Sequence, residues 1–357
     1  MIITLTNTET SEIGNALLKA RSRLGNASGL VLTLIVAAEQ RSFAKAYAAA
    51  QTAAREHPCR LVLVVKTTGK TDRLDAEIHL AEDVPGEVIV LRLSGLVRDH
   101  ADSVVLPLLL PDSPVVMWWP QNAPDVPSDD VLGALADRRI TDAASAADPI
   151  KALETRALNH SPGDTDLTWT RLTLWRALLA AALDQYPMRV LSATVAGPRN
   201  NAPCDLMAAW LESRLKVTVT RKASGGPGIT SVSLETPGGQ VVIAREDGKT
   251  ASYAIPGQPR RTVALKRRDI NELLTEELRR LDADDVYAGA LASLLRREGR
   301  TVPAAPVRKR KEAGAIAAAR VAKTGARADS RKAARVQEAL SRQEPPLPKA
   351  HHKAEQS

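Results

Sequence analysis

The sequence predicts an α/β fold: an N-terminal, mainly parallel sheet with flanking helices, then a helical segment, a second α+β domain and a disordered basic C-terminal tail. Three observations support this prediction. Strand-like and helix-like segments alternate over residues 1–110, which is typical of parallel strands joined by crossover helices. Short strand-like segments with loops of hairpin length between them follow, at Thr218, Val232, Val242, Tyr253 and Val263. Residues 300–357 have almost no large apolar side chains, so they cannot build a core.

The N-terminal domain is predicted from apolar runs of strand length. Leu30–Val36 and Leu61–Val65 are rich in β-branched residues, and the alanine-rich segment between them, Glu39–Arg55, is predicted to be a helix. Further strands are predicted at Ala76–Leu80, Glu87–Leu93 and Val115–Trp119. Five prolines between residues 111 and 130 exclude a regular helix there, so a surface loop should follow the last of these strands.

The remaining segments mix helices with short strands. Helices are predicted near Val131–Asp137, Ile150–Leu158, Thr165–Gln185, Asp205–Leu215, Asp269–Leu281 and Ala288–Arg297, with a strand at Arg189–Val195. A length of 357 residues suggests about two domains at roughly 150 residues each. We therefore divide the chain into an N-terminal α/β domain at 1–145, a C-terminal α+β domain at 146–299 and the tail at 300–357.

The net charge of +8 is unevenly distributed. Residues 300–357 contain 14 Lys and Arg against 5 Asp and Glu, a charge of +9, which leaves −1 for residues 1–299. A flexible basic segment of this kind can bind nucleic acid without sequence preference. Nucleic-acid binding is therefore an alternative function, and the sequence predicts it only through the tail.

The sequence favours a cytoplasmic location. No Lys or Arg precedes Lys19, which is unlike the basic start of a secretory signal peptide. The longest apolar runs, such as Leu30–Ala38, are about half of the roughly 18 residues that span a bilayer, so we expect no membrane partner. The two cysteines, Cys59 and Cys204, are too few for a disulfide framework or a four-cysteine zinc site.

Catalytic motifs are scarce in the sequence. The nucleophile elbow Gly-x-Ser-x-Gly and the dinucleotide fingerprint Gly-x-Gly-x-x-Gly are both absent, and we expect no cofactor and no metal ion. His57 and Cys59 lie two residues apart, so a thiol-dependent enzyme that uses this pair is one alternative. A structural cysteine is the other, because cysteine is a common core residue.

The segment Pro162–Gln185 is the most informative predicted helix. Its main apolar face runs through Leu172, Trp175, Leu179, Ala182 and Leu183. Arg171 and Arg176 fall inside apolar arcs, where each needs a carboxylate or a carbonyl partner. Internal partners such as Asp164 or Asp166 would make this a buried helix. A cluster of Trp and Arg is also typical of a binding hot spot, and both interpretations remain open.

Five longer motifs occur in order along the chain. They are REHPCR (Arg55–Arg60), RLDAEI (Arg73–Ile78), DSVVLPLLLPDSPVVMWWP (Asp102–Pro120), RRITDAA (Arg138–Ala144) and PGDTDLTWTRLTLWRALLAA (Pro162–Ala181). Together they resemble the glucose-6-phosphate dehydrogenase assembly protein family, the OpcA family. The resemblance covers about residues 1–298.

The resemblance implies a non-catalytic assembly factor. Such proteins bind glucose-6-phosphate dehydrogenase, promote its active oligomer as allosteric activators, and support NADPH supply in the oxidative pentose phosphate pathway. It also shifts the interpretation of the Trp and Arg cluster towards a surface that binds or supports a partner. The candidate partner-binding residues are Trp118, Trp119, Asp164, Asp166, Trp169, Arg171, Trp175 and Arg176.

Overall fold

The computed structural model describes residues 1–24, 29–80, 86–245 and 247–303. Within these residues it contains two sheets with helices packed against them, as the α/β prediction requires. Apart from residues 300–303, the predicted disordered tail lies outside the described residues. None of the described helices is both long enough and apolar enough to cross a membrane.

The first sheet is mainly parallel, as predicted. Its described strands are β1 Ile2–Leu5, β2 Leu32–Glu39, β3 Cys59–Lys66, β4 Arg73–Leu80, β5 Glu87–Ser94, β6 Val115–Trp118, β7 Arg138–Thr141 and β8 Asp164–Asp166. Their spatial order is β1-β4-β5-β3-β2-β6-β7-β8. Neighbouring strands pair in parallel throughout the series β5-β3-β2-β6-β7-β8. β4 pairs antiparallel with both β5 and β1.

Helices cover both faces of this sheet. The described α-helices are α1 Thr10–Leu24, α2 Phe43–Glu56, α3 Ala101–Val105, α4 Pro149–Leu158, α5 Leu167–Thr170, α6 Thr173–Gln185, α7 Ala202–Leu215, α8 Ile270–Glu277 and α9 Asp285–Arg297. Leu34 and Val36 of β2 pack with residues of α2 and α8, whereas Ile35 packs on the other face with residues of α1 and α3. Burial on both faces explains why these strands are continuous apolar runs.

The second sheet buries one face, which confirms the α+β prediction. Its described strands are β9 Ser192–Gly197, β10 Val219–Ala223, β11 Ser231–Thr236, β12 Gly239–Ala244, β13 Thr250–Ala254 and β14 Arg261–Ala264, in the order β10-β9-β11-β12-β13-β14. Only the β9–β10 pair is parallel. Along β11, buried Val232 and Leu234 alternate with half-buried serines, and the buried side chains join a core with α6, α7 and α9.

One predicted helix is wrong. Val131–Asp137 contains only a single 3-10 turn, Gly133–Leu135. Ala136 already has an extended backbone conformation, and β7 begins at Arg138. The carboxylate of Asp130 accepts hydrogen bonds from the first amides of this turn, at 2.9 and 3.1 Å, and so stabilises a short turn instead of a longer helix.

The predicted helix Thr165–Gln185 is interrupted. Its first residues lie in β8, whose Asp164–Asp166 pair in parallel with Arg139–Thr141 of β7. A short α5 follows, and α6 restarts at Thr173. Apolar periodicity cannot reveal β8, because that strand is wholly polar and is fixed by a partner strand distant in sequence.

Elements from both predicted domains meet around the first sheet. β8 extends that sheet, and α8 packs against α2. The division between residues 145 and 146 stays a prediction.

Candidate functional site

The four candidate tryptophans lie in three separate apolar cores: Trp118 in one, Trp119 in a second, and Trp169 and Trp175 in a third. Asp164, Asp166 and Arg171 belong to a buried polar cluster where β7 and β8 meet α5 and α8. We call this cluster the junction network; it consists of Arg138, Arg139, Asp142, Asp164, Asp166, Arg171 and Glu277. All of these except Arg171 are buried. Buried charges are tolerated only when they are paired and hydrogen-bonded, so the partners of each group decide what the network does.

Asp164 fixes the strand pair. Its carboxylate forms an ion pair with the guanidinium of Arg139 on the neighbouring strand, and it accepts a hydrogen bond from the Ser161 amide at 2.8 Å. Arg139 also donates to the carbonyl oxygens of Ala136 at 2.8 Å and Pro162 at 2.5 Å. Both ends of this pair are therefore satisfied inside the protein.

Asp166 caps α5 and ties it to the end of β7. The fully buried carboxylate accepts hydrogen bonds from the Thr168 amide at 2.8 Å, the Ala143 amide at 2.9 Å and the Thr141 hydroxyl at 2.6 Å. Three donors around one carboxylate offset its loss of hydration. Asp166 thus holds α5 at the edge of the first sheet.

Glu277 joins α8 to the same edge. Its carboxylate pairs with Arg138 and accepts hydrogen bonds from the hydroxyls of Thr170 at 2.6 Å and Thr165 at 2.9 Å. Arg138 also donates to the carbonyl oxygen of Asp282 at 2.6 Å. A carboxylate distant in sequence from all three elements therefore connects β7, β8 and α5.

Arg171 has an internal partner, although not one of those expected. Its guanidinium makes a bidentate pair with Asp142 at 2.6 and 3.0 Å, instead of pairing with Asp164 or Asp166. The Asp142 side chain is fully buried, and this burial raises its pKa while the Arg171 charge opposes the rise. The Arg171 side chain remains 25% exposed, so it can contact both the network and a partner.

Arg176 stacks on Trp169. The guanidinium carbon lies 3.6 Å from the centre of the indole ring, and the indole Nε1 donates to a carboxylate oxygen of Asp284 at 2.8 Å. Burial lowers the pKa of Arg176 to about 10, so it keeps its charge at neutral pH. The stack packs the charged side chain of α6 onto an aromatic side chain of α5.

Six of the eight candidate residues are buried: Trp118, Trp119, Asp164, Asp166, Trp169 and Trp175. Only the half-buried Arg171 and Arg176 can contact a partner directly in this conformation. Asp164, Asp166, Trp169 and Trp175 can support a partner surface only by fixing α5 and α6, whereas Trp119 packs in the core with α1. A partner-binding role for these residues stays a prediction.

Sequence reasoning missed four members of the network. The missed residues are Arg138, Arg139, Asp142 and Glu277. The motif RRITDAA (Arg138–Ala144) contains three of them, but in the sequence it indicates only the family resemblance. The consecutive charged residues Arg138 and Arg139 do not form a periodic apolar pattern, and Glu277 is distant from its partners in sequence. Only the tertiary structure therefore shows that these residues contact each other.

A stripe of incompletely buried apolar side chains runs along α6, and one of its members, Leu178, also packs partly against the core of the second sheet. We call it the α6 stripe; it consists of Leu174, Ala177, Leu178 and Ala181. Their spacing of three and four residues places them on one side of the helix. Leu174 is 38% exposed, Ala177 is also exposed, and the other two are half-buried. Met188 and Leu191, which follow the helix, are 40% and 52% exposed.

The His57 and Cys59 pair does not have the features of an activated thiol. Cys59 is 1% exposed, and burial raises the pKa of its thiol to about 12. His57 Nε2 donates to the Thr275 carbonyl oxygen at 3.0 Å, which uses that nitrogen in contact with α8. This arrangement supports the structural interpretation of Cys59. In the described part of the chain no three His, Cys, Asp or Glu side chains are placed to hold a metal ion.

Neither cysteine should react with Ellman's reagent at pH 8 while the protein is folded. Burial raises the pKa of Cys59 and of Cys204 to about 12, so only roughly one thiol in ten thousand would be ionised even if it were accessible. Both should react once urea unfolds the chain. Rapid labelling of either cysteine in the native protein, followed by mass spectrometry, would contradict the buried placement.

Comparisons with known proteins agree with these motifs. Residues 50–158 match a family model described as the glucose-6-phosphate dehydrogenase subunit N-terminal domain, and residues 162–291 match the corresponding C-terminal domain. A protein of Synechocystis sp. named OxPP cycle protein OpcA is 26% identical over 188 residues, which is 47% of this chain and 39% of that protein. The chain thus covers less than half of the length of this relative. The two adjoining matches show that the chain belongs to the OpcA family of glucose-6-phosphate dehydrogenase assembly proteins.

Proposed function

We propose that this protein binds glucose-6-phosphate dehydrogenase, stabilises its active oligomer and raises its activity as a non-catalytic, cytoplasmic partner. The observation that carries the proposal is the match of two adjoining family models, both described as parts of a glucose-6-phosphate dehydrogenase subunit. The buried, high-pKa thiol of Cys59 is consistent with a chain that acts by binding. The oxidative pentose phosphate pathway is the setting in which such a partner acts.

The α6 stripe is the surface that we propose for the dehydrogenase. An exposed apolar face on a helix is costly in water and gains free energy when a partner covers it. α6 begins just after α5, and the junction network fixes α5 through Asp166 and Glu277. A surface held in place before binding loses less conformational entropy on association.

Activation by binding requires a difference in affinity. A partner that binds two states of an enzyme equally well changes the population of neither state. The protein must therefore bind the active oligomer of the dehydrogenase more tightly than the inactive form. A factor of about ten in affinity corresponds to 1.4 kcal/mol of population shift.

A titration of purified dehydrogenase with the full-length chain tests the proposal. The rate of NADPH formation should rise and then saturate as the chain is added at a fixed concentration of enzyme. The chain alone should form no NADPH from glucose 6-phosphate and NADP⁺. The proposal would be overturned if the rate of NADPH formation stayed unchanged at a high concentration of added protein whose folding has been verified.

Ala177→Glu should weaken binding to the dehydrogenase by at least about tenfold, because it places a carboxylate within an apolar contact that a partner must desolvate. Ala177 is exposed, so the fold should tolerate the change. Ala48→Glu is a matched control, since it makes the same substitution at an exposed position of α2. Equal affinities for the two variants, measured by biolayer interferometry, would show that the α6 stripe is not the docking surface.

A further inference from the structure

A pocket beside α6 is lined, among the described residues, by cationic and uncharged groups alone. Its volume is about 240 Å³, and it lies between the start of α6, the N-terminus of α7 and the segment that follows β14. The titratable residues that line it are Arg171, Arg245, Lys266, Arg267 and Arg268. No carboxylate is among the described lining residues. The pocket therefore has a positive potential that favours an anion.

Three of these cations are already paired with carboxylates that do not line the pocket. Arg171 pairs with Asp142, as described above. The remaining pairs are Lys266 with Glu272 at 2.6 Å and Arg268 with Glu276. Arg245 and Arg267 form no ion pair within the described residues, and the Asp247 carboxylate acts on Arg245 only from beyond ion-pair distance. Two positive charges at the pocket therefore have no carboxylate in direct contact there.

Arg245 provides the main evidence that the pocket suits an anion. The residue is only 6% exposed, and its two terminal nitrogens donate to the carbonyl oxygens of Leu265 at 2.9 Å and Ile229 at 3.3 Å. Its Nε is buried and has no hydrogen-bond partner within the described residues. The guanidinium carbon lies 5.0 Å from the centre of the Trp175 ring, which orients it without neutralising it. A buried, incompletely satisfied guanidinium is costly unless an anion binds.

The N-terminus of α7 adds to this potential. Asn201 caps the helix by accepting a hydrogen bond from the Cys204 amide at 3.2 Å, and Asn201 and Pro203 both line the pocket. α7 is 14 residues long, so its dipole places partial positive charge at this end. The helix dipole and the arginines therefore both make the electrostatic potential in the pocket more positive.

We propose that this pocket binds a phosphate group, either free as inorganic phosphate or carried by a small phosphorylated metabolite. A phosphate dianion matches two guanidinium groups that have no carboxylate in direct contact, and the fork of arginine donors suits phosphate oxygens. Pockets for drug-sized ligands are roughly 300–1,000 Å³, so about 240 Å³ suits a small phosphomonoester and not a complete dinucleotide. This site goes beyond the proposed function, because binding needs no dehydrogenase.

Isothermal titration calorimetry on the full-length chain tests the phosphate site. Inorganic phosphate and glycerol 3-phosphate are the probes, each at constant ionic strength with chloride as the balancing anion. We expect saturable binding at one site. Tighter binding of glycerol 3-phosphate would assign the site to a phosphorylated metabolite, and tighter binding of inorganic phosphate would assign it to the free ion. Absence of saturable heat with both probes would overturn the proposal.

Arginine variants locate the binding. Arg267→Gln should weaken it by at least about tenfold, because the exposed Arg267 side chain lines the pocket without an ion pair in the described residues. Arg260→Gln is a matched control at an exposed arginine just before β14 that does not line the pocket. Every variant keeps the basic tail, so any phosphate bound to the tail contributes equally to the heat measured for each variant. Equal affinity of the two variants would overturn the assignment to this pocket.

A thermal melt with Arg245→Gln gives a second readout. Phosphate should raise the melting temperature of the wild-type chain, since a ligand that binds only the folded state stabilises it. The rise should be lost in Arg245→Gln if that variant folds, and Arg267→Gln keeps the test decisive if it does not. An undiminished rise in both variants would contradict the proposal.

Discussion

Glu277→Ala is expected to lower the free energy of unfolding by about 3–5 kcal/mol, because it removes one partner of a buried ion pair. Arg138, which is 3% exposed, would keep a buried charge without its carboxylate. The hydroxyls of Thr165 and Thr170 would each lose an acceptor. Urea unfolding followed by far-UV circular dichroism measures this loss.

Glu276→Ala is the matched control. Glu276 precedes Glu277 on the same helix and pairs with Arg268, but its side chain is 29% exposed to water. A pair that water reaches contributes less to stability than a fully buried one, so this variant should lose clearly less stability than Glu277→Ala. Comparable destabilisation by the two variants would contradict the role of Glu277 in the junction network.

Trp175→Ala is expected to cost about 3–5 kcal/mol of stability, the usual range for a large aromatic side chain removed from a core. Trp175 is 2% exposed and lies in the core that joins α6 to the second sheet. Its loss would also remove the ring that faces the Arg245 guanidinium. The same urea unfolding measurement applies.

Leu174→Ala is the control for the tryptophan. Leu174 is the preceding residue on α6 and is 38% exposed, so its truncation should change stability by less than about 1 kcal/mol. A loss of binding to the dehydrogenase in this folded variant would then report on the α6 stripe itself. If Trp175→Ala were as stable as Leu174→Ala, the packing of α6 described above would be wrong.

The apolar parts of the fold can be predicted from the sequence. β2, β3 and β5 are apolar runs rich in β-branched residues and leucine. This pattern predicts strands that are buried on both faces, as the structure shows. The buried face of α6 follows from the helical spacing of Trp175, Leu179 and Ala182, all of which are buried. In these elements local pattern and tertiary packing agree.

The polar parts of the site cannot be predicted in the same way. β7 begins with two arginines and β8 has the sequence DTD, yet both strands are buried. Arg138 is buried because Glu277 compensates its charge, and no rule of local spacing connects residues so far apart. The same holds for Asp142, the true partner of Arg171. Buried charges depend on tertiary partners, whereas apolar periodicity depends only on neighbours in sequence.

Sedimentation velocity of the dehydrogenase with and without this protein tests the proposed function most directly. We expect a faster-sedimenting species that contains both proteins, with more of the dehydrogenase in its active oligomer as the chain is added. Ala48→Glu should give the same result, and Ala177→Glu should leave most of the enzyme uncomplexed. If both wild-type proteins sediment independently at concentrations well above a micromolar, the dehydrogenase is not the partner.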